Sequence, residues 1–313
     1  MTTVLITGGT GILGCALTEA LVGRGDVVHT AQRRPPSRGA AGAEAHQLDV
    51  SDTAAVASLI GRVEPDLVLH LAAELMLGTG AAAPAAMRAS NERGTANVLA
   101  AVMTQTKPAA VITASSERAY APGTGRPLTE EHPLAGQGLY GETKAAADRL
   151  TRAAAADGLR ATVLRLSNTY GPHDPVATRI VPSIVSSVIA GEPLRLRSAS
   201  TARRDFLHVA DAVTAYVAIA DRLLHDPNAV SGRAFNVGTG VGHSVLQLAE
   251  RAAAMAGEGL RIELPDAASE PPEEDRLLDA SLITATVGWE PAITLDEGLA
   301  ATLDAARAGL IAV

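Results

Sequence analysis

Tyr140 and Lys144 lie four residues apart in the stretch Gly138-Leu139-Tyr140-Gly141-Glu142-Thr143-Lys144. A helical pattern opens here and runs to about Asp157, and on a helix this spacing puts both side chains on one face. A phenol alone titrates near pH ~10 and is a poor base at neutrality. A neighbouring ammonium favours the phenolate and lowers its pKa. The pair can then take a proton from an alcohol or return one to a developing alkoxide. Helices carry Tyr-x-x-x-Lys by chance, but lysine occurs in this chain only at Lys107 and Lys144, which makes a random pairing rarer.

The elements before this helix alternate as a nucleotide site requires. An apolar β run at 3–7 leads into Gly8-Gly9-Thr10-Gly11-Ile12-Leu13-Gly14, followed by an amphipathic helix to about Val22. Strand, glycine loop and helix are the context of a dinucleotide fingerprint: backbone approaches a pyrophosphate closely and the helix N-terminus supplies N–H groups. Gly8, Thr10, Gly11, Ile12 and Leu13 are the candidate contacts. A second strand at 27–31 continues into Gln32-Arg33-Arg34, with no acid to bond ribose hydroxyls. Arg33 and Arg34 can instead receive a 2′-phosphate, which points to NADP over NAD.

A third strand at about 44–48 ends at Asp49-Val50, ahead of a helix from Ser51. Residues 67–73 read as a buried parallel strand, and the small residues that follow would let backbone lie against the cofactor, with Leu71, Ala72 and Ala73 as candidate contacts. His70 reads as structural. Residues 76–86 read as a loop over the site, and Asn91 to Thr95 begins a helix to about Gln105. The strand at 110–114 ends in Ser115-Ser116-Glu117-Arg118-Ala119-Tyr120, polar residues where parallel sheets bind ligands. Residues 121–137 form a loop, and the strand at 161–166 ends in Ser167-Asn168-Thr169-Tyr170.

This alternation specifies an α/β fold, a Rossmann-type doubly wound parallel sheet, over residues 1–172. It breaks down afterwards. Helices are predicted at 177–190, 209–224, 244–256 and 295–308, a short strand at 193–197, a core strand at Phe235-Asn236-Val237 and an acidic Pro-rich loop at 265–276. Residues 173–313 are expected to form a smaller mixed C-terminal substrate-binding subdomain, with 205–240 partly returning to the main domain.

With 47% hydrophobic residues but only 2% aromatics, the core must be built from Ala, Val, Leu and Ile. A net charge of −8 argues against a nucleic-acid or membrane-surface binder. Cys15 is the only cysteine, which excludes an intrachain disulfide. The eight histidines show no metal-ligand spacing, so no metal is expected. No signal peptide or bilayer-spanning run is legible, and a cytoplasmic protein is expected. Alanine-rich helices at 91–105 and 141–156 suit close packing between subunits and predict a homodimer.

Taken together, these strings resemble the extended short-chain dehydrogenase/reductases, the nucleotide-sugar epimerase/dehydratase group, over nearly the whole chain. The matching motifs are Thr7 through Gly14, Asp49-Val50, His70 through Ala73, Asn91 through Thr95, Ser115-Ser116, Tyr140 to Lys144, Arg165 through Pro172, Arg204-Asp205-Phe206 and Gly288-Trp289-Glu290-Pro291. The resemblance implies that Ser116 bonds the substrate oxygen, Tyr140 transfers the proton, and Lys144 bonds the nicotinamide ribose. It places Asp49 and Val50 at the adenine and Leu71, Ala72, Ala73 and Asn91 among the cofactor contacts. Ser115, Ser116, Arg118, Asn168 and Arg204 would face the substrate. The resemblance also implies an arginine clamping a diphosphate near 265–276; either Arg276 fills that role in a shifted register, or the substrate is not a nucleoside diphosphate sugar.

The nicotinamide carries the hydride chemistry, and the protein positions and protonates. Three reactions at C4 of a nucleotide-activated sugar remain open. Glu117 can protonate a departing hydroxyl, as a 4,6-dehydratase needs, and Ser-Glu-Arg resembles the Ser-Asp-Lys of CDP-glucose 4,6-dehydratases. Arg118, however, is a poor base because guanidinium stays protonated. Epimerases and dehydratases recover their hydride and retain NAD, whereas a net reductase benefits from NADPH. Arg33-Arg34 therefore favours NADPH-dependent reduction of a 4-keto sugar, with 4-epimerase or 4,6-dehydratase as the alternative and a non-catalytic NADP-binding scaffold behind both.

Overall fold

The computed structural model describes residues 1–34, 42–75, 84–123, 125–196, 201–257, 261–263 and 274–310. Its centre is β1 (Thr3–Thr7), followed by α1 (Ile12–Arg24), β2 (Val27–Gln32) and β3 (Ala43–Gln47). Next come α2 (Thr53–Val63), β4 (Leu67–His70), α3 (Pro84–Arg88), a π-helical turn at Ala89–Arg93 and α4 (Gly94–Met103). Then β5 (Ala110–Ser116), α5 (Gly138–Ala156), β6 (Ala161–Leu166) and β7 (Asn168–Tyr170) lead to α6 (Ile180–Ala190), β8 (Leu194–Arg195) and β9 (Arg204–His208). The chain continues through α7 (Val209–His225), β10 (Ala234–Val237), β11 (Gly242–His243), α8 (Val245–Ala256), β12 (Ile262–Glu263), α9 (Ser281–Val287) and α10 (Leu295–Arg307).

Seven strands form one sheet in the order β10-β6-β5-β4-β1-β2-β3, all parallel. The order reverses between β1 and β4, and the crevice at the carboxyl ends of the strands there is where such sheets hold ligands. Alternation assigns the two faces. Val4 and Ile6 join Leu17, Leu21, Tyr216 and Phe235 under α1 and α7. Leu5 and Val68 join Val56, Ile60, Val98 and Val102 under α2 and α4. A third core of Val185, Leu194, Phe206, Leu248 and Leu303 knits α6, α8 and α10 around β9.

Several expectations shift. The helix expected at Asn91 starts at Pro84, with proline in the first turn where its missing N–H costs nothing, so residues 84–86 of the expected loop are helical and 76–83 lie outside the described residues. Asp52, not Ser51, caps α2, accepting from the N–H of Ala54 and Ala55 at 3.0 Å. The Arg204–Asp205–Phe206 segment is a strand, β9, between β7 and β11. Of the acidic loop, residues 265–273 lie outside the described residues, and Arg276 pairs by a bridge with Arg204. β10 forms the edge of the main sheet, with Phe235 opposite Leu164 of β6.

Candidate active site

The glycine loop meets the end of β4 in the crevice. Gly8 has φ +78°, and a Cβ there would lie 2.8 Å from the Ala72 nitrogen; only glycine fits both the angle and the space. The N-cap of α1 is Gly11, with no side-chain cap, so the first turn presents Ile12 and Leu13 to the crevice as an anion-binding helix end would. At the end of β2 the Gln32 side chain is buried with neither amide atom bonded. These features fit a dinucleotide: a close backbone cradle, an uncapped helix end and an amide awaiting partners.

Around this cradle the expected contacts differ in kind. Asp49 is exposed and accepts from Ser51 N at 2.9 Å, which holds its carboxyl below the usual carboxylate range; Val50 beside it is buried. Asn91 is tied to the protein on both sides. Its Oδ1 accepts from Glu74 N at 2.7 Å, and its Nδ2 donates to Glu74 O at 3.1 Å and Thr143 Oγ1 at 2.9 Å. These bonds fasten the backbone after Ala73 to α5, and Oδ1 keeps a second lone pair. Arg33 is paired with Glu74 at 3.1 Å, which partly neutralises the charge expected for a 2′-phosphate, while Arg34 is exposed. His70 is a packed, neutral ring: it bonds Thr7 Oγ1 at 2.8 Å and Thr95 Oγ1 at 3.1 Å, and burial pushes its pKa to about 3.

α5 brings Tyr140 and Lys144 against the end of β5. Gly141 makes this approach possible, because a Cβ there would run into the Arg118 carbonyl oxygen. The Lys144 ammonium stands 5.9 Å from the Tyr140 ring centre and donates to Ala114 O at 2.9 Å. Burial lowers the Lys144 pKa to about 8. The expectation that Lys144 depresses the tyrosine is not met: burial raises Tyr140, and the opposing influences are Arg179, the hydrogen bond from Ser116 and Arg118. Lys144 is not among the groups acting on the phenol, and what Arg179, Ser116 and Arg118 supply is less than desolvation costs it. Arg179 was missed because it lies 39 positions on in sequence, just before α6, where Asp174 at 2.9 Å and Thr169 O at 2.6 Å hold it.

The turn after β5 holds the acid. Ser116 Oγ accepts from Arg118 N at 3.2 Å. Glu117 is 2% exposed; its Oε1 accepts from Asn168 Nδ2 at 3.3 Å and its Oε2 has no partner. Burial raises its pKa, opposed by Arg118, Arg276 and Arg204. Arg276 is buried, donates through one terminal nitrogen to Glu117 O at 3.0 Å and keeps the other unbonded. Arg204 donates to Arg203 O and Glu274 O. The hydroxyls of Ser115 and Ser167 are likewise buried without partners. Unpaired buried polar atoms are rare and costly, and here four residues carrying them, Ser115, Glu117, Ser167 and Arg276, gather along the ends of β5 and β6 and the strand-like segment beside β9.

A buried ion pair braces this assembly. Arg165 on β6 bonds Asp148 of α5 through Nε at 2.7 Å and a terminal nitrogen at 3.1 Å, and also bonds Tyr120 Oη at 2.8 Å and Glu130 O at 3.0 Å.

A doubly wound sheet with a nucleotide cradle beside a Ser/Tyr/Lys cluster is the arrangement of a dinucleotide-dependent oxidoreductase. The model of the NAD dependent epimerase/dehydratase family matches residues 4–238, and the chain belongs to that family. It is 28% identical to a dTDP-glucose 4,6-dehydratase of Xanthomonas campestris pv. campestris (strain B100), over 97% of this chain and 93% of that protein. The UDP-glucose 4-epimerase of Thermotoga maritima with UDP-glucose is 25% identical and superposes with a TM-score of 0.86 over 98% and 99% of the two chains. The Thermus thermophilus UDP-glucose 4-epimerase complex with NAD is 25% identical, with a TM-score of 0.85 over 97% and 99%. The comparisons favour the epimerase and dehydratase alternative over the ketoreductase to which Arg33 and Arg34 pointed. Among the described residues no helix is long and apolar enough to cross a membrane.

Proposed function

We propose that the protein is a nucleotide-sugar 4,6-dehydratase that works with retained NAD. The observation that carries this reading is Glu117: a buried carboxyl, pushed toward its protonated form, with one oxygen unbonded, next in sequence to Ser116 and close enough for its charge to act on Tyr140. An epimerase has no use for such an acid; elimination of water requires one.

NAD, when bound, supplies the reversible acceptor for the C4 hydride. Tyr140 takes the C4 hydroxyl proton in its phenolate form, which Arg179, the Ser116 hydroxyl and Arg118 favour against burial, while Ser116 bonds the same oxygen. Lys144 holds the ribose side of the crevice. Glu117 then gives its proton to the C6 hydroxyl as that group leaves as water, while the C5 proton passes to solvent water as the C5–C6 double bond forms, since Arg118 is no base. Asn168, Arg204 and Arg276, with Arg118 and Ser115, line the substrate side, where cationic donors suit a nucleoside diphosphate. Gln32 both donates and accepts, which suits a ribose diol; with Arg33 held by Glu74, this supports NAD over NADP.

A second reading, 4-epimerase, is favoured by Arg118, a guanidinium where elimination would use a base for the C5 proton. Mass spectrometry of products from nucleoside diphosphate hexoses separates the two. A product lighter by one water, lost in Glu117→Gln, supports the dehydratase. A product of unchanged mass, formed equally well by Glu117→Gln, overturns it in favour of the epimerase.

A further inference from the structure

At the far edge of the main sheet, away from the proposed site, the strand register gathers three side chains whose sequence spacing shows no metal motif. His29 of β2 sits opposite Glu44 of β3, and Ala31 opposite His46. Side chains alternate along a strand, so His29, Glu44 and His46 leave the same face, the one Ala31 shares with the α2 core. His29 Nδ1 and His46 Nε2 are 3.0 Å apart. The Glu44 carboxylate reaches His29 Nδ1 at 3.6 Å and His46 Nε2 at 3.7 Å.

We propose that His29, Glu44 and His46 form a binding site for a divalent transition-metal ion, with zinc as its best match. Two ligand atoms about 2.0–2.1 Å from a tetrahedral ion stand roughly 3.3 Å apart; the histidine pair at 3.0 Å and the nearer carboxylate contacts, through Oε2 at 3.6 Å and Oε1 at 3.7 Å, lie on either side of that value, and one ligand atom from each residue falls within 4.8 Å of the others. Two imidazoles and one carboxylate favour zinc and its neighbours over magnesium or calcium, which take oxygen cages. Three protein ligands leave a fourth position for water. The ring planes are 19° apart with centres at 5.3 Å, so a modest rotation turns both nitrogens toward an ion. The ion then replaces the hydrogen between them, and the ring that carried it shifts to its other tautomer. The Glu44 charge offsets half of the ion's, while Arg62 of α2, whose field reaches His46, opposes it. The competing state is the bare hydrogen-bonded histidine pair.

The site would cross-link the edge strand β3 to β2 three residues before Gln32, independently of the reaction performed. Zinc chloride titrated into the untagged full-length protein tests it by calorimetry and by thermal shift, with cobalt(II) absorption as an independent probe. One ion per chain is expected, with binding at least about tenfold weaker in His46→Ala and in Glu44→Gln, since loss of even an outer-shell partner typically costs about 10–100-fold in metal affinity. Glu44 is largely exposed, so Glu44→Gln keeps the test valid if a histidine variant fails to fold. Absence of zinc uptake by the wild-type protein, or uptake unchanged in Glu44→Gln and in His29→Ala/His46→Ala, overturns the proposal.

Discussion

Replacing Arg165 by methionine removes the cation beneath the helix that presents Tyr140 and Lys144. The guanidinium is 1% exposed and its partner Asp148 is 0% exposed. The substitution deletes four hydrogen bonds and leaves a carboxylate without solvent or counter-ion. Breaking a buried pair from one side costs about 3–5 kcal/mol, chiefly the desolvation of the stranded charge. Methionine fills much of the volume, so little of that loss comes from a cavity. Against a total stability of roughly 5–15 kcal/mol, the variant should remain folded at room temperature with a markedly lower urea midpoint by circular dichroism. Adding Asp148→Leu should restore most of the loss, because an apolar pair avoids the desolvation cost. A single variant that loses less than about 1 kcal/mol, the value of an exposed pair, or a double variant no better than the single, would refute the assignment of this pair as a desolvated brace.

Four further outcomes follow from the same geometry. Tyr140→Phe should abolish turnover while leaving NAD affinity, read by fluorescence quenching, nearly intact. Gly141→Ala should push α5 off the Arg118 carbonyl and reduce kcat by as much as about 10²-fold, since displacements of about 1 Å can cost that much; steady-state kinetics check this. Lys144 binds its proton less tightly folded, with a pKa of about 8, than its ordinary 10.5, so the unfolded chain holds more protons between these values and stability rises with pH across that window by about 3 kcal/mol. The difference in melting temperature between wild type and Lys144→Met, scanned from pH 7 to about 10.5, should show that rise only in the wild type. Light scattering at micromolar concentration should give a dimer, through the alanine-rich faces of α4 and α5.

Sequence and structure agree where a local pattern carries the information. Thr3 to Leu13 announces strand, loop and helix because each step has its own chemistry: β-branched residues, then glycines, then apolar periodicity. Tyr140 and Lys144 were legible because a helix converts a spacing of four into adjacency. Gln32 was read only as the start of an arginine run, since nothing local signals that both its amide atoms end buried and unbonded. Arg179, Ser167 and the Arg276–Glu117 contact depend on strands and turns distant in sequence. The His29–Glu44–His46 group illustrates the same limit: parallel pairing creates it, and no one-dimensional spacing encodes parallel pairing. Tyr140's pKa also ran against expectation, because spacing predicts proximity but not the desolvation that outweighs it.

The pairing of Phe235 with Leu164 has a practical meaning for anyone who would divide this polypeptide. A fragment stopping near residue 172 would leave the backbone of Val163 through Leu166 bare along one side, a ready template for intermolecular strand addition. Such a fragment should aggregate where the full chain stays dispersed.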